Sequence, residues 1–241
     1  MEEIMNRIVY MVIRHLFQAP IWFFHIDKMG KQKERYSLQE RYDYIRKMVK
    51  KINVGGRVDV RGYGAENLPK EDGFILFPNH QGLFDMLAII DTCPKPMSVV
   101  IKKEAENWVL VKQVLAALDG ISMDRSDIKA SLKVINQMSE RVKLGGNFVI
   151  FPEGTRSRDE NNILDFKAGT FKSAVNARCP IVPVALINSF KPFDISSIKK
   201  EQVQVHYLDP IYPEQYMGLK TKEIADIVHN RIQEKINSNL G

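Results

Sequence analysis

The sequence predicts an α/β fold, a mostly parallel central sheet flanked by helices, and three observations carry that prediction. From residue 55 onward, short apolar runs of strand length alternate with longer stretches of helical spacing, the pattern of strands joined by crossover helices. Two of those runs end in polar turns, PNHQG and PEGTRS, as functional loops do at the carboxyl edge of a parallel sheet. The first 54 residues read as helical by their spacing. The division expected is therefore an N-terminal helical segment, 1–54, followed by an α/β domain, 55–241.

Taken in order, Ile4, Met5, Ile8, Val9, Met11, Val12, Leu16 and Phe17 recur at helical spacing, with Glu3, Arg7, Arg14 and Gln18 on another stripe. This is the signature of an amphipathic helix. Pro20 interrupts it, and Ile21, Trp22, Phe23 and Phe24 follow before a polar run begins at His25. The unbroken apolar run, 8–13, is far short of the roughly 20 residues of a spanning helix. Two readings fit: a helix lying on a bilayer at headgroup level, or one packed into the core. A second helix is expected over 36–52, before Gly55 and Gly56. Strands are expected over 58–60, 74–77, 97–101, 148–151, 181–187 and 203–208, and helices over 84–91, 109–118, 127–144, 167–177 and 222–237.

With 44% hydrophobic and 27% charged residues in 241, the chain has the make-up of a folded protein with one good core. A net charge of +6 favours an anionic partner: nucleic acid, an acidic membrane face or a phosphorylated substrate. The basic residues are scattered and no nucleic-acid-binding signature accompanies them, so nucleic acid is set aside. Cys93 and Cys179 each neighbour a proline and show no paired spacing, which suggests neither a disulfide framework nor a zinc site, and no metal is expected. MEEIMNRIVY carries acidic residues where a secretory signal would be basic, and it reads as part of the mature protein.

Chemistry concentrates at two strand ends. In FILFPNHQGLFDMLAII, His80 stands just before a helix and Asp85 follows five positions later. That spacing can bring the carboxylate to one imidazole nitrogen, leaving the other to take a proton from a hydroxyl. Asn79 capping the helix is the plainer reading. In NFVIFPEGTRSRDENN, Gly154 permits close backbone approach, Thr155 and Ser157 add hydroxyls, and Arg156 offers a planar fork for phosphate oxygens. An ordinary turn closed by a Glu153 to Arg156 ion pair is the alternative. Lys167-Ala168-Gly169 fits either a phosphate-facing helix start or a plain capped helix.

Together these blocks resemble the glycerolipid acyltransferase family, most closely the 1-acylglycerol-3-phosphate acyltransferases. NHQGLFD matches the family's histidine-four-residues-aspartate block. The stretch from IKKE to GISMDR, then FPEGTRS, then IVPVALI follow in the family's order, spanning 79–187. Gly82 stands where many members carry serine, and Met123 where an aromatic or aliphatic residue is usual.

The resemblance implies roles. His80 and Asp85 would be the catalytic dyad. Glu153, Gly154, Thr155 and Arg156 would bind the glycerol phosphate of the acceptor, with Arg125 and Lys103 (or Lys102) adding charge. Pro183 and its neighbours would lie beside the acyl donor. The acceptor would be lysophosphatidic acid and the product phosphatidic acid. The donor would be an acyl thioester of acyl-carrier protein or acyl-CoA, a co-substrate, with no resident cofactor. The N-terminal helices would dock the protein on the cytoplasmic face of the cell membrane. Glycerol 3-phosphate or another lysolipid as acceptor, and a non-catalytic lipid-binding relative, are the rival readings.

Overall fold

The structure is a computed structural model that describes residues 6–240. A seven-stranded sheet forms its centre, in the order β1-β7-β6-β2-β5-β3-β4. The strands are β1 (Val58–Tyr63), β2 (Ile75–Pro78), β3 (Ser98–Lys102), β4 (Ile121–Met123), β5 (Phe148–Val149), β6 (Ile181–Ile187) and β7 (Glu201–Tyr207). From β6 to β4 all neighbours are parallel. β7 runs antiparallel to β6, and β1 parallel to β7. The edge at which β2, β3, β4, β5 and β6 end is thus the edge at which β1 and β7 begin. The expected sheet is present, with β4 as an edge strand too short for sequence periodicity to reveal.

The helices are α1 (Arg7–Arg14), α2 (Ala19–Lys31), α3 (Leu38–Gly55), α4 (Asp85–Thr92), α5 (Val111–Ala117), α6 (Ile128–Lys143), α7 (Lys172–Ala177), α8 (Lys191–Asp194), α9 (Pro213–Tyr216) and α10 (Thr221–Leu240). They cover both sheet faces, and strand alternation feeds each side. Leu76 of β2 and Val182, Val184 and Leu186 of β6 point to one core, shared with Met11, Ile26, Tyr42, Ile45, Ile89 and Ala117 of α1 to α5. Ile75 and Phe77 of β2 and Ile181, Ala185 and Ile187 of β6 point to the other, with Met138 of α6, Ala174 of α7 and Val228 and Ile232 of α10. The N-terminal side of the residue-54 boundary therefore shares its core with the sheet.

α3 shows how local sequence sets an element. Ser37 and Glu40 form a reciprocal capping box, the Ser37 Oγ accepting from the Glu40 amide at 3.2 Å and the Glu40 carboxylate from the Ser37 amide at 2.8 Å, a cap contributing about 1 kcal/mol. Tyr42, Ile45 and Val49 follow at helical spacing and are buried, which turns that face onto the sheet.

The N-terminal region departs from expectation in two ways. Pro20 does not end the ordered segment but sits in the first turn of α2, where a missing amide costs nothing, so the run from His25 is helical to Lys31. Glu3, Ile4 and Met5 lie outside the described residues. Arg7, assigned by spacing to the polar outer stripe, is 1% exposed. Its Nε donates to the Pro192 carbonyl at 3.1 Å, Nη1 to Gly56 at 2.8 Å and Nη2 to Lys199 at 2.7 Å. Burial lowers its pKa, and Glu201 at 4.0 Å works the other way. Arg7 and Met11 are the buried residues of α1, so Val9, Val12, Ile13, Leu16 and Phe17 face outward, Phe17 with 88% of its surface exposed. Among the described residues no helix is long and apolar enough to cross a membrane.

Arg7→Met should cost about 3 kcal/mol of stability in urea unfolding, because two buried carbonyls and one partly buried one lose a charged donor. Arg14→Met, on the exposed side, should shift the midpoint little. Equal effects would show that the Arg7 contacts do not anchor α1.

Candidate active site

The register of β2 against β5 builds the site. Ile75 pairs with Phe148 and Leu76 with Val149. Carried five residues on, the same offset sets His80 level with Glu153, and the two meet: the His80 amide donates to Glu153 Oε1 at 2.6 Å. On the other side β2 pairs with β6 from Ile75 to Pro78. Beyond Pro78, Asn79 extends the ladder with its side chain, Nδ2 donating to the Leu186 carbonyl at 3.1 Å and Oδ1 accepting from the Leu186 amide at 2.7 Å. Asn79 therefore does not cap α4, and the plainer reading of PNH falls.

His80 Nδ1 lies 2.6 Å from Asp85 Oδ2. Asp85 opens α4, where the helix dipole favours a negative charge. It also accepts from the amides of Gln81 at 2.7 Å and Gly82 at 3.1 Å, so its carboxylate is fixed on three sides while fully buried. The imidazole stacks on Phe151, ring centroids 4.1 Å apart, and keeps 18% of its side chain exposed. With Nδ1 taken by Asp85, Nε2 is the nitrogen left for chemistry.

Behind the dyad lies a polar network that sequence reading missed. Gln81 Oε1 accepts from the Ser189 amide at 2.7 Å, and its Nε2 donates to Asn161 Oδ1 at 2.9 Å. Asn161 Oδ1 also accepts from the Asn188 amide at 2.8 Å. Gln81 adjoins the histidine and was within reach of inspection; Asn161 and Asn188 enter only through the fold. Gly82 has a packing reason: a Cβ there would fall 3.1 Å from Phe190 Cα and 3.2 Å from Asp194 Oδ2. The departure from serine lets the segment that includes α8 close on the dyad loop.

The residues after β5 divide into an inner and an outer set. Glu153 is inner, 2% exposed, its second oxygen accepting from the Leu164 amide at 3.0 Å. Both its oxygens serve the backbone rather than the outer surface of the turn. It forms no ion pair with Arg156 either, whose Nη1 is 3.9 Å from Asp194. Gly154 has φ +75, a backbone conformation that favours glycine, and the mobile end of the Lys167 side chain lies over it. Arg125 donates to the Gly154 carbonyl. Thr155 is exposed, and Ser157 donates its amide to the His80 carbonyl at 2.8 Å while its Oγ is buried without a partner. Lys103 stays at the rim, 3.6 Å from Asp124, and Lys102 pairs with Glu104 at 2.8 Å. Lys167 precedes a 3-10 turn, Ala168–Phe171, that leads into α7 without a side-chain cap.

A groove of about 250 Å³ borders this cluster, lined by Met123, Leu132, Ile135, Ile150 and Phe151, with Arg125 and Lys167 among its polar groups. A larger cleft, about 710 Å³, includes Tyr63 and Tyr207, which end β1 and β7. Because β7 opposes β6, that cleft opens at the other edge of the sheet, away from His80. At the edge that carries His80, Arg125 and Lys167 line the groove and Arg156 stands on the adjoining turn beside Asp194, cations of the kind that bind phosphate oxygens, while His80 Nε2 is free to accept a proton.

Comparison with known proteins places the chain. The family model described as Acyltransferase matches residues 59–187. A 1-acyl-sn-glycerol-3-phosphate acyltransferase of Haemophilus influenzae is 27% identical over 67% of this chain and 68% of its own length. The human 1-acyl-sn-glycerol-3-phosphate acyltransferase alpha is 30% identical over 75% of this chain, which spans 64% of the human protein. The crystal structure of the 1-acyl-sn-glycerophosphate acyltransferase PlsC of Thermotoga maritima superposes with a TM-score of 0.77 over 98% of each chain at 22% identity, a likeness of fold.

Burial pushes the Glu153 carboxyl up to about 7, with Asp85 adding to the rise and the two amides opposing it. Between pH 7 and about 4.5, where the unfolded carboxyl titrates, the folded chain binds a proton there that the unfolded chain has lost. This group's contribution to stability therefore grows as pH falls through that window. Wild type should gain on Glu153→Gln by up to about 3 kcal/mol from pH 7 to 4.5 in paired denaturant titrations. A pH-independent difference would count against the raised pKa.

Proposed function

Since this chain belongs to the acyltransferase family, we propose that it transfers an acyl group from a thioester to the free sn-2 hydroxyl of 1-acylglycerol 3-phosphate, lysophosphatidic acid, giving phosphatidic acid. The observation that carries this reading is the 2.6 Å contact of His80 Nδ1 with buried Asp85, directly beside the turn bearing Arg156. The names of the relatives at 27% and 30% identity support the acceptor.

In this mechanism the acceptor's phosphate rests on Arg156, Arg125 and Lys167, with Lys103 adding charge from the rim, and its hydroxyl faces His80 Nε2. Nε2 takes the hydroxyl proton as the oxygen bonds to the thioester carbonyl carbon. Asp85 holds the tautomer and stabilises the imidazolium. The tetrahedral intermediate then breaks its carbon–sulfur bond, and the thiolate leaves with the proton held by Nε2. Glu153 acts at one remove, fixing the backbone of His80. The apolar groove along Phe151 and Ile135 suits one acyl chain. No covalent enzyme intermediate is required: Cys93 and Cys179 are buried, and burial pushes their thiols up to about 11 and about 12, far from thiolate at neutral pH. The donor is acyl-carrier protein or acyl-CoA, and no metal or other cofactor takes part.

The outward apolar faces of α1 and α2, which include Val12, Ile13, Ile21 and Phe24, with Phe17 in the turn between them, suit a helix pair lying in the headgroup region of one leaflet. On this reading the protein is peripheral or monotopic, on the cytoplasmic face of the cell membrane. The net charge of +6 favours an anionic leaflet and an acidic carrier.

Purified protein given acyl-CoA or acyl-carrier thioester should convert lysophosphatidic acid in vesicles to phosphatidic acid. His80→Ala should lower kcat about a thousandfold and Asp85→Asn by a comparable factor. Arg156→Ala should act mainly through the acceptor's KM. Turnover of glycerol 3-phosphate in preference to lysophosphatidic acid would reassign the acceptor; an unchanged rate in His80→Ala would overturn the mechanism. Val12→Glu with Phe17→Glu should release the protein from anionic vesicles in a flotation assay, and persistent binding would sink the docking role.

A further inference from the structure

A second exposed apolar site lies at the catalytic edge. Trp108, Val109 and Leu110 follow β3 and precede α5, and all three are exposed, Trp108 at 53% and Val109 at 83%. Leu110 has φ +71, a left-handed conformation unfavourable for a bulky side chain, and such strain persists where function keeps it. Packing within the chain leaves most of Val109 and half of Trp108 uncovered. Glu104 and Glu106 are nearby, but Glu104 is paired with Lys102 at 2.8 Å, and exposed Lys103 and Lys112 stand on either side of the apolar trio.

Topology fixes where this loop sits relative to α1 and α2. α2 packs along α5, and Gly30 near the end of α2 touches Ala116 and Ala117 at the end of α5. The two helices therefore run in the same direction, and their starts, with Ile21 and Phe24 on one and Trp108 to Leu110 on the other, fall on one side of the molecule. In strand order β2 with His80 lies between β7, where Arg7 moors α1, and β3, from which the loop departs.

We propose that Trp108, Val109 and Leu110 form a second membrane anchor, which together with α1 and α2 holds the mouth of the His80 site against one anionic leaflet. This rests on the membrane reading above and adds a contact to it. Lipid is favoured as the occupant for three reasons: a tryptophan beside aliphatic residues suits the headgroup boundary, lysines flank the trio, and the loop is on the same side as the outward faces of α1 and α2. Two anchors restrict rotation about either one. Acceptor lipid would then reach His80 without leaving the leaflet.

The test uses the full chain with Trp22→Phe, which leaves Trp108 as the lone tryptophan. On titration with phosphatidylglycerol vesicles its emission should shift to the blue, and lipids brominated on the acyl chain should quench it. Val109→Glu should weaken vesicle binding about tenfold and slow turnover of vesicle-borne acceptor, while turnover of a short-chain acceptor dispersed as monomers stays at the wild-type rate. A protein that binds vesicles yet shows neither blue shift nor quenching at Trp108 would overturn the second anchor and leave the α1 and α2 docking intact. Failure to bind vesicles at all would remove both. A blue shift without lipid, on adding acyl-carrier protein or on raising protein concentration, would reassign the loop to a protein partner.

Discussion

The parallel pairing of β2 with β5 is the constraint on which the edge carrying His80 depends. It brings two chain segments more than seventy residues apart to the same level, so that the His80 amide meets the Glu153 carboxylate and the imidazole lies on Phe151. A shift of one residue would turn every strand side chain to the other face. It would also separate these partners. The core on both sides, with Leu76 facing one layer and Ile75 and Phe77 the other, is what forbids such a shift, and packing energy thereby holds the geometry around His80.

The charges at this edge are sorted by depth. Asp85 and Glu153 are buried, and backbone amides satisfy both. Amides rather than cations do this work inside, which leaves guanidinium and ammonium groups for the outer surface. Arg156 has a carboxylate neighbour only at 3.9 Å, a partly exposed pairing of little worth. The two acids differ in their neighbours: Asp85 has a helix N-terminus and an imidazole beside it, whereas Glu153 has no cation among its contacts, and burial pushes its carboxyl up to about 7.

A third relation links this edge of the sheet to the N-terminal helices. Arg7 ties α1 to carbonyls at the end of α3, in α8 and just before β7, all gathered where β6 ends and β7 begins. Because an arginine and a methionine take the inward face, the remaining apolar residues turn outward. α8 also carries Asp194, the neighbour of Arg156 and of Gly82. Helix docking and the dyad loop are thus packed on a common piece of chain.

The sequence by itself determined the α/β class, the strands that supply PNHQG and PEGTRS, the His80 and Asp85 pair and the glycine at 154, because each is written in local spacing or in a residue type with one conformational use. It did not determine the side on which Arg7 falls, since periodicity groups residues by face without saying which face is buried. Nor did it separate Glu153 from its neighbours in FPEGTRS: a carboxylate next to an arginine reads as part of a binding turn until a register turns it inward. Lys103, close to Arg125 in one block of sequence, stays at the rim beside Asp124. Gln81, Asn161 and Asn188 join behind the dyad through contacts spanning 27 and 80 positions. Only the tertiary structure decided these matters, because hydrogen-bond partners far apart in the chain are chosen by strand order and register, which no local pattern encodes.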